Sequence, residues 1–257
     1  MSEPKHGHAA LRAGTEAHYR DAARYDREYR TRKHDVAFYV EMAEEHARGP
    51  VLELGAGTGR VSVALARRGF EVVALDRMRE MLDGLEARLA KEPPEVRARV
   101  RAVHGEIASA RLGERFSLVI SPFNVLMHCY VRADFEAAMA TVLAHLAPGG
   151  ALVFDVRMPD LRELCRESGR IFGGERAVHR EAFDYDVATQ IQMITSITRE
   201  RSGELTVRPL AHRQFFPAEL EALLHYNGLA IESRWGDFER GPMYVTCESQ
   251  VIVARAR

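Results

Sequence analysis

The stretch Val51-Leu52-Glu53-Leu54-Gly55-Ala56-Gly57-Thr58-Gly59 joins a short apolar run to three alternating glycines. The apolar run predicts a buried β-strand, and the residues from Arg60 onward predict a helix. Because glycine has no Cβ atom, the turn between them can adopt strained backbone angles and let a ligand lie directly on the main chain. The first N–H groups of the helix remain free to bind the same ligand. We therefore expect this stretch to hold a nucleotide-like molecule.

An acidic residue ends the next predicted strand. Asp76 closes the run Val72-Val73-Ala74-Leu75-Asp76, about 20 positions after Gly55. A carboxylate at this spacing can accept hydrogen bonds from both hydroxyls of a ribose. The glycines follow the pattern GxGxG after Glu53, whereas dinucleotide-binding folds favour GxGxxG. The two motifs together predict an adenosine cofactor, with no pyrophosphate to accommodate.

Strand and helix signals alternate in the segment that contains these motifs. Apolar and periodic runs predict strands at 51–55, 71–75, 99–104, 117–121 and 150–155, with helices near 59–69, 78–91 and 133–146. Such alternation is typical of a parallel sheet covered by helices. A helix from Pro217 to Leu224 and strands at 229–235 and 248–255 end the chain. The fold class predicted is α/β, with a Rossmann-like seven-stranded mixed sheet flanked by helices.

Two further segments frame this sheet. Residues 22–47 predict one or two helices, whereas residues 1–20 lack periodicity and are expected to fray. After Asp155 the pattern changes to strands at 174–184, 189–198 and 204–214, which predict an antiparallel insertion after the fifth strand. The predicted units are an N-terminal helical lid (1–47), a sheet domain (48–156 and 215–257) and an inserted antiparallel cap (157–214).

The motifs resemble those of the class I S-adenosylmethionine-dependent methyltransferases of the small-molecule type. In that family the first motif has the form of residues 53–59, the ribose-binding acid matches Asp76, and the turn before the fifth strand matches Leu146-Ala147-Pro148-Gly149-Gly150. The resemblance covers residues 51–155. It implies an enzyme that moves a methyl group from S-adenosylmethionine to an N or O atom of a small-molecule acceptor and leaves S-adenosylhomocysteine.

The same resemblance implies where the cofactor binds. Glu53 is expected to act on its methionine end through water or the backbone, and Gly105-Glu106-Ile107 matches the segment that contacts adenine, with Glu106 where the family usually has Asp. Met81 would pack against the adenine ring. The expected cofactor contacts are Tyr25, Tyr29, Glu53, Leu54, Gly55, Ala56, Gly57, Gly59, Arg60, Asp76, Arg77, Met81, Gly105, Glu106, Ile107, Ser121, Pro122 and Phe123.

The acceptor is expected beside Ser121-Pro122-Phe123-Asn124, because this segment follows the fourth strand at the carboxyl edge of the sheet. DNA and protein amide methyltransferases carry an Asp/Asn-Pro-Pro-aromatic tetrad there, and the missing second proline disfavours a nucleobase amino group. Two catalytic candidates are His128, a possible general base with an ordinary pKa near 6.5, and Tyr25, which resembles tyrosines that fold over the methyl site. Structural packing is the alternative for both. The expected acceptor contacts are Asn124, His128, Arg157, Arg213 and Tyr244, the arginines suiting a carboxylate.

Composition excludes several classes of protein. Basic and acidic side chains number 36 and 37, for a net charge of −1, so no nucleic acid or membrane partner is expected. The three cysteines are far apart and lack CxxC spacing, which predicts neither a zinc site nor a disulfide framework. We expect no metal ion, and we expect the protein to be cytoplasmic. The antiparallel insertion is also a candidate homodimer surface.

Two other functions stay open. A nicotinamide-dependent oxidoreductase would need a constellation such as Tyr-x-x-x-Lys, and no lysine follows Lys91. A catalytically silent S-adenosylmethionine-binding protein would keep the cofactor motifs and transfer no methyl group. The sequence contains nothing that separates this second alternative from an active enzyme.

Overall fold

Two sheets organise the fold in the computed structural model, which describes residues 7–174, 177–200 and 202–257. The strands are β1 (Val51–Leu54), β2 (Val72–Asp76), β3 (Val100–His104), β4 (Phe116–Ser121), β5 (Leu146–Arg157), β6 (Arg170–Phe172), β7 (His179–Asp186), β8 (Ile191–Arg199), β9 (Leu205–Arg213), β10 (Leu229–Trp235) and β11 (Ser249–Ala256). The main sheet has the order β10-β11-β5-β4-β1-β2-β3, and β6 to β9 form a second, antiparallel sheet. We call this second sheet the cap sheet.

Helices cover both faces of the main sheet. They are α1 (His8–Tyr19), α2 (Ala22–Tyr29), α3 (His34–His46), α4 (Arg60–Arg67), α5 (Arg79–Leu89), α6 (Pro94–Arg97), α7 (Arg132–His145), α8 (Leu161–Glu167) and α9 (Pro217–Tyr226), with a 3-10 turn at Val125–His128. One core layer packs the main sheet against α7 and α9, and another packs it against α3 and α4. The result is a three-layer α/β architecture.

Strand β1 lies inside the main sheet, between β4 and β2, and is apolar apart from Glu53. Val51 is level with Val72 of β2 on one side and with Leu118 of β4 on the other, and both pairings are parallel. All four residues of β1 are buried. Five strands run parallel, and β11 is antiparallel to both of its neighbours. The carboxyl ends of the parallel strands therefore meet along one edge, where the glycine turn and Asp76 also lie.

The predicted α/β fold and the mixed seven-stranded sheet are confirmed. Each predicted strand of the main sheet is present to within a few residues, and residues 22–47 form the two helices α2 and α3. Of the insertion, the predicted strand 174–184 corresponds to β7, which starts at His179; residues 175 and 176, like 201, lie outside the described residues. The sequence pattern did not indicate α8 or β6. The division into lid, sheet domain and cap stays a prediction.

The expectation that residues 1–20 fray is wrong for residues 8–19, while residues 1–6 lie outside the described part of the chain. These residues form α1, which packs along β9. Only a narrow stripe of α1 is buried, namely Leu11, Thr15 and His18. Gly14 allows the close approach, because a Cβ atom there would lie 2.8 Å from Cγ of Pro209. A stripe with a single aliphatic residue gives too weak a periodicity to predict a helix.

Candidate active site

A cavity opens at the carboxyl edge of the parallel strands. It encloses about 1010 Å³ not filled by protein atoms, open solvent at its mouth included. The sheet domain and the first two helices both contribute to its walls. The lining residues include Thr15, Tyr19 and Tyr25 from the helices, and Gly55, Gly57, Asp76, Arg77, Met78, Met81, Glu106, Ile107, Pro122, Phe123, Val125, His128 and Tyr130.

The three glycines of the turn after β1 all have left-handed backbone angles, with φ of +71°, +56° and +77° at Gly55, Gly57 and Gly59. A Cβ atom on Gly55 would meet Val125 at 2.5 Å, and one on Gly59 would overlap Leu85. At Gly57 nothing lies within 4 Å of that position. Gly55 and Gly59 are therefore required for packing, whereas Gly57 keeps open space at the cavity for a ligand.

Asp76 ends β2 and lies beside Gly57. Its two carboxylate oxygens accept hydrogen bonds from the N–H of Gly57 and the N–H of Met78, each at 2.8 Å. Burial raises the pKa of this carboxyl, although both N–H donors act in the opposite direction. The carboxylate lines the cavity next to the open space at Gly57. This pairing of a fixed acceptor and a cradle without a side chain fits the ribose and the methionine chain of S-adenosylmethionine.

Glu53 is buried within the sheet and does not reach the cavity wall. Ser62 of α4 donates a hydrogen bond to it, and burial raises the pKa of Glu53 to about 7. Its neighbours Leu54 and Ala56 are also buried. A role through water or the backbone stays a prediction for Glu53.

Arg60, also expected at the cofactor, faces a different group. Its Nη2 lies 2.7 Å from a carboxylate oxygen of the fully buried Asp35. Its guanidinium also lies 5.1 Å from the centre of the Phe123 ring. Arg60 is absent from the cavity wall, so its place in the structure favours joining α3 to α4 over binding a ligand.

The expected adenine end of the cavity is formed by Met81, Glu106 and Ile107, which all line it. Arg77 ties this end to the first helix, because its guanidinium lies 2.8 Å from Glu16 and 3.9 Å from Glu106. Gly105 does not line the cavity; its N–H donates to the carbonyl of Asp76 at 3.0 Å. Gly105 thus positions the segment rather than forming its surface.

The loop after β4 brings Pro122 and Phe123 to the cavity, whereas Asn124 is absent from its walls. Phe123 and Asn124 have φ of +62° and +63°, a conformation that costs a residue other than glycine on the order of 1–3 kcal/mol. Both of their N–H groups donate to Asp155 of β5. The hydroxyl of Ser121 is buried and has no partner among the described residues.

Aromatic rings join this loop to the first helices. The Phe123 ring centre lies 4.9 Å from that of Tyr29 and 6.4 Å from that of Tyr25, and the Arg32 guanidinium lies over the Phe123 ring at 4.5 Å from its centre. Tyr25 lines the cavity, whereas Tyr29 packs behind it. The structure therefore brings the two predicted tyrosines together with the predicted loop.

His128 lies at the junction of the cavity, α1 and β9. Its Nε2 is 3.0 Å from the Tyr19 hydroxyl and its Nδ1 is 3.3 Å from the Tyr130 hydroxyl. Its ring centre lies 5.2 Å from that of His212. Burial, followed by the charges of nearby basic groups, holds the pKa of His128 well below its ordinary value, and the pKa values of His18 and His212 at about 4. His128 is therefore neutral at physiological pH and a weaker base than ordinary imidazole.

Besides Asn124, three more residues expected at the acceptor do not line the cavity, namely Arg157, Arg213 and Tyr244. Arg157 pairs with Glu163 at 3.1 Å, and Arg213 pairs with Glu219 at 2.5 Å, so both arginines already have carboxylate partners. Tyr244 is 64% exposed in the loop before β11. The structure does not bring these three residues together as a carboxylate-binding group.

Sequence reasoning missed several residues that the structure places at this site. Thr15 and Tyr19 line the cavity from α1. The hydroxyls of Thr15 and Tyr130 share a hydrogen bond, with 2.6 Å between the two oxygens. Asp155 holds the loop after β4 from a neighbouring strand. The only local sequence signal for any of these residues was at Asp155, an acidic residue near the end of an apolar strand. The sequence of helix α1 carried no such signal.

The described residues contain no cluster of three or more histidine, cysteine, aspartate or glutamate side chains placed to hold a metal ion. Within the same part of the chain, no helix combines the length and apolar character needed to cross a membrane.

Comparisons with known proteins agree with this geometry. Residues 51–150 match the family model described as "Methyltransferase domain". The structure of the CcbJ methyltransferase from Streptomyces caelestis has 31% sequence identity and a TM-score of 0.77, covering 87% of this chain and 89% of that one. A methyltransferase structure from Clostridium acetobutylicum, at 18% identity and a TM-score of 0.75 over 91% of this chain and 97% of that one, shows the fold alone.

Two curated relatives are also similar. The cypemycin N-terminal methyltransferase of a Streptomyces species is 31% identical over 60% of this chain, which spans 56% of that protein's length. The glycine/sarcosine N-methyltransferase of Aphanothece halophytica is 26% identical over 79% of this chain and 74% of that protein. With a relative of 31% identity matched over nearly its whole length and a cavity that fits the cofactor, the chain belongs to the class I S-adenosylmethionine-dependent methyltransferases.

Proposed function

We propose that the protein transfers a methyl group from S-adenosylmethionine to the nitrogen of a small amine. The observation that carries this proposal is one continuous cavity, which joins the Gly57 and Asp76 cradle to a polar end formed by Tyr19, Tyr25 and His128. The names of two relatives, an N-terminal and a glycine/sarcosine N-methyltransferase, support nitrogen as the acceptor atom. When bound, S-adenosylmethionine supplies a methyl group already activated by its sulfonium charge.

The residues of the chain then have to bind the cofactor, orient the acceptor toward its methyl group and exclude water. Asp76 and the backbone at Gly57 would hold the ribose and the methionine chain, with Met81 and Ile107 against the adenine. The first two helices close the cavity from above, because Tyr19 and Tyr25 both line it.

The polar end of the cavity favours an amine that enters without its proton. His128 is neutral at physiological pH, and its two ring nitrogens are occupied by the hydroxyls of Tyr19 and Tyr130. An imidazole with so low a pKa cannot hold the proton of an alkylammonium ion. His128 would therefore orient the acceptor through the Tyr19 hydroxyl, while the free base of the amine supplies the lone pair. The Tyr25 hydroxyl has no hydrogen-bond partner among the described residues and is free to contact the acceptor.

The direct test is methyl transfer from S-adenosylmethionine with a labelled methyl group to matched acceptors. Glycine, sarcosine, trialanine and glucosamine offer an amine, and N-acetylglucosamine keeps the hydroxyls of glucosamine without the basic nitrogen. We expect label in at least one amine and none in its acetylated partner. Label in the acetylated sugar would replace nitrogen by oxygen as the acceptor, and tight binding of S-adenosylhomocysteine without transfer to a whole-cell metabolite extract would favour the silent binding protein.

The pH dependence of methyl transfer tests whether the amine enters the cavity without its proton. Because His128 is too weak a base to take up the proton, kcat/KM is expected to rise with pH and to level off above the pKa of the acceptor amine itself. Two amines of different basicity should give two different midpoints. A midpoint that stays the same for both amines would point to a general base in the protein and contradict this assignment of His128.

A further inference from the structure

Asp155 is a buried carboxylate on the strand beside the methyl-transfer cavity. Its side chain is 1% exposed, and no arginine, lysine or histidine of the described residues forms an ion pair with it. Three donors satisfy it instead. The Tyr39 hydroxyl and the Phe123 N–H donate to Oδ1, both at 2.7 Å, and the Asn124 N–H donates to Oδ2 at 3.2 Å.

The two backbone donors belong to consecutive residues with left-handed angles. Apart from Phe123 and Asn124, only Gln190 and Arg240 among the described residues other than glycine have positive φ. In this conformation the two successive N–H groups reach the same carboxylate, one at each of its oxygens. The strained loop and the buried carboxylate therefore stabilise each other, since the carboxylate needs the donors and the loop needs the acceptor.

The loop that Asp155 holds determines much of the cavity wall. Pro122 and Phe123 line the cavity directly. The Phe123 ring packs against Tyr29 at 4.9 Å and Tyr25 at 6.4 Å, so the position of this ring also fixes the tyrosine that faces the acceptor. A change in the loop would move both sides of the methyl site together.

We propose that Asp155 is a positioning residue for methyl transfer, which acts through the N–H groups of Phe123 and Asn124 to set the loop after β4 and, through the Phe123 ring, the place of Tyr25. Asp155 does not touch the reactants, because it is absent from the cavity wall. The inference rests on the proposed function for its kinetic consequence, but the structural part concerns this chain alone.

The structural part is tested on the wild-type protein by amide hydrogen exchange. The N–H groups of Phe123 and Asn124 should exchange slowly, unlike those of an exposed loop, and should lose that protection in Asp155→Asn. In this variant the amide offers one acceptor oxygen and turns a donor toward the second N–H group. Rapid exchange of both groups in the wild type would overturn the proposal even if no variant folded.

The kinetic part is tested with Asp155→Asn, Tyr39→Phe and the double variant Asn124→Gly/Asp155→Asn. A misplaced loop should lower kcat of Asp155→Asn by about a hundredfold, while the affinity for S-adenosylhomocysteine changes less than about threefold. Tyr39→Phe keeps both backbone bonds and should lose about threefold or less. Glycine adopts left-handed angles without strain, so Asn124→Gly should restore about fivefold or more of the lost kcat in the Asp155→Asn background. Asn124→Gly alone serves as the reference for this cycle.

The outcomes separate a positioning role from a general structural one. If kcat, the cofactor affinity and the melting temperature all fall in proportion, or if Asn124→Gly restores nothing, Asp155 only stabilises the fold and the proposal is wrong. If the wild type transfers no methyl group but shows the expected amide protection, the proposed function fails while the loop assignment stands.

Discussion

Gly57 and Gly59 both have left-handed backbone angles, but their surroundings differ. Those of Gly59 point to a role in packing, and those of Gly57 to a role in ligand binding. Gly59 lies against Leu85 in the core, where an added Cβ would overlap the side chain, and it precedes α4. Gly57 faces open space in the cavity wall. The motif in the sequence shows three equivalent glycines, and only their positions in the structure reveal which one leaves open space at the cavity.

Alanine at these two positions should therefore give opposite results. Gly59→Ala combines backbone strain with overpacking and is expected to lower the free energy of unfolding by about 2–4 kcal/mol. Gly57→Ala carries the strain alone, about 1–2 kcal/mol, but should weaken S-adenosylhomocysteine binding by about tenfold or more, since its methyl group occupies the ligand's place. Urea unfolding and calorimetric titration measure the two effects. Wild-type affinity in Gly57→Ala would contradict the cofactor's place in the cradle.

Glu53 makes a prediction about pH. Burial raises its pKa in the folded protein from the ordinary 4.5 to about 7, so between these pH values the folded state binds the proton more tightly than the unfolded chain. The stability linked to Glu53 is therefore fully present below about pH 4.5 and is lost as the pH rises to about 7. Glu53→Gln keeps an acceptor for Ser62 and should be more stable than the wild type at about pH 8, on the order of 3 kcal/mol, with the difference vanishing toward about pH 4.5. Denaturant unfolding across this range checks it; a constant difference would contradict the raised pKa.

At the scale of elements, the strands and helices with a periodic apolar pattern were predictable from the sequence. Elements that depend on packing against a distant part of the chain, such as α1, were not. The strands of the main sheet are runs of buried apolar residues, and the helices between them carry the regular spacing that predicts them. Helix α1 has one aliphatic residue, Leu11, in its buried stripe, and this stripe packs along β9. Tertiary packing of this kind leaves no local signal.

The site follows the same division. Residues fixed by the glycine motif and by strand ends, such as Gly57 and Asp76, could be placed from spacing alone. Tyr19 and Asp155 form their side-chain hydrogen bonds across long sequence distances: Tyr19 bonds to His128, 109 positions away, and Asp155 to Tyr39, 116 positions away. Arg157 and Arg213 were expected at the acceptor on charge alone, and each instead has a local glutamate partner.

Helix α1 should detach when its contact with the cap sheet is blocked. Gly14→Leu places a side chain where Pro209 lies, because even a Cβ atom would be 2.8 Å from that ring. We expect faster amide exchange throughout α1 and weaker binding of S-adenosylhomocysteine, since Thr15 and Tyr19 would leave the cavity. The matched control is Ala13→Leu on the exposed side of the same helix. If both variants exchange and bind alike, α1 does not depend on β9 for its place.

At the scale of the whole molecule, α1 connects parts of the chain that are distant in sequence. Glu16 pairs with Arg77 after β2, Tyr19 bonds to His128 after β4, and Gly14 meets Pro209 on the cap sheet. A ligand held at Asp76 therefore lies beneath a helix that also contacts the cap. Binding at this cavity should stabilise the folded protein as a unit rather than one of its sheets.

Thermal unfolding with S-adenosylhomocysteine or NADH in large excess tests that expectation together with the identity of the cofactor. Ligand at about a hundred times its dissociation constant adds roughly 2.7 kcal/mol, which raises the melting temperature of a chain of this size by roughly 5–10 °C. We expect this rise with S-adenosylhomocysteine alone. Asp76→Ala should reduce it, whereas Asp83→Ala, a control on the exposed face of α5, should keep it. A rise with NADH alone would assign the cradle at Gly57 and Asp76 to a dinucleotide, and an undiminished rise in Asp76→Ala would place the ribose elsewhere in the cavity.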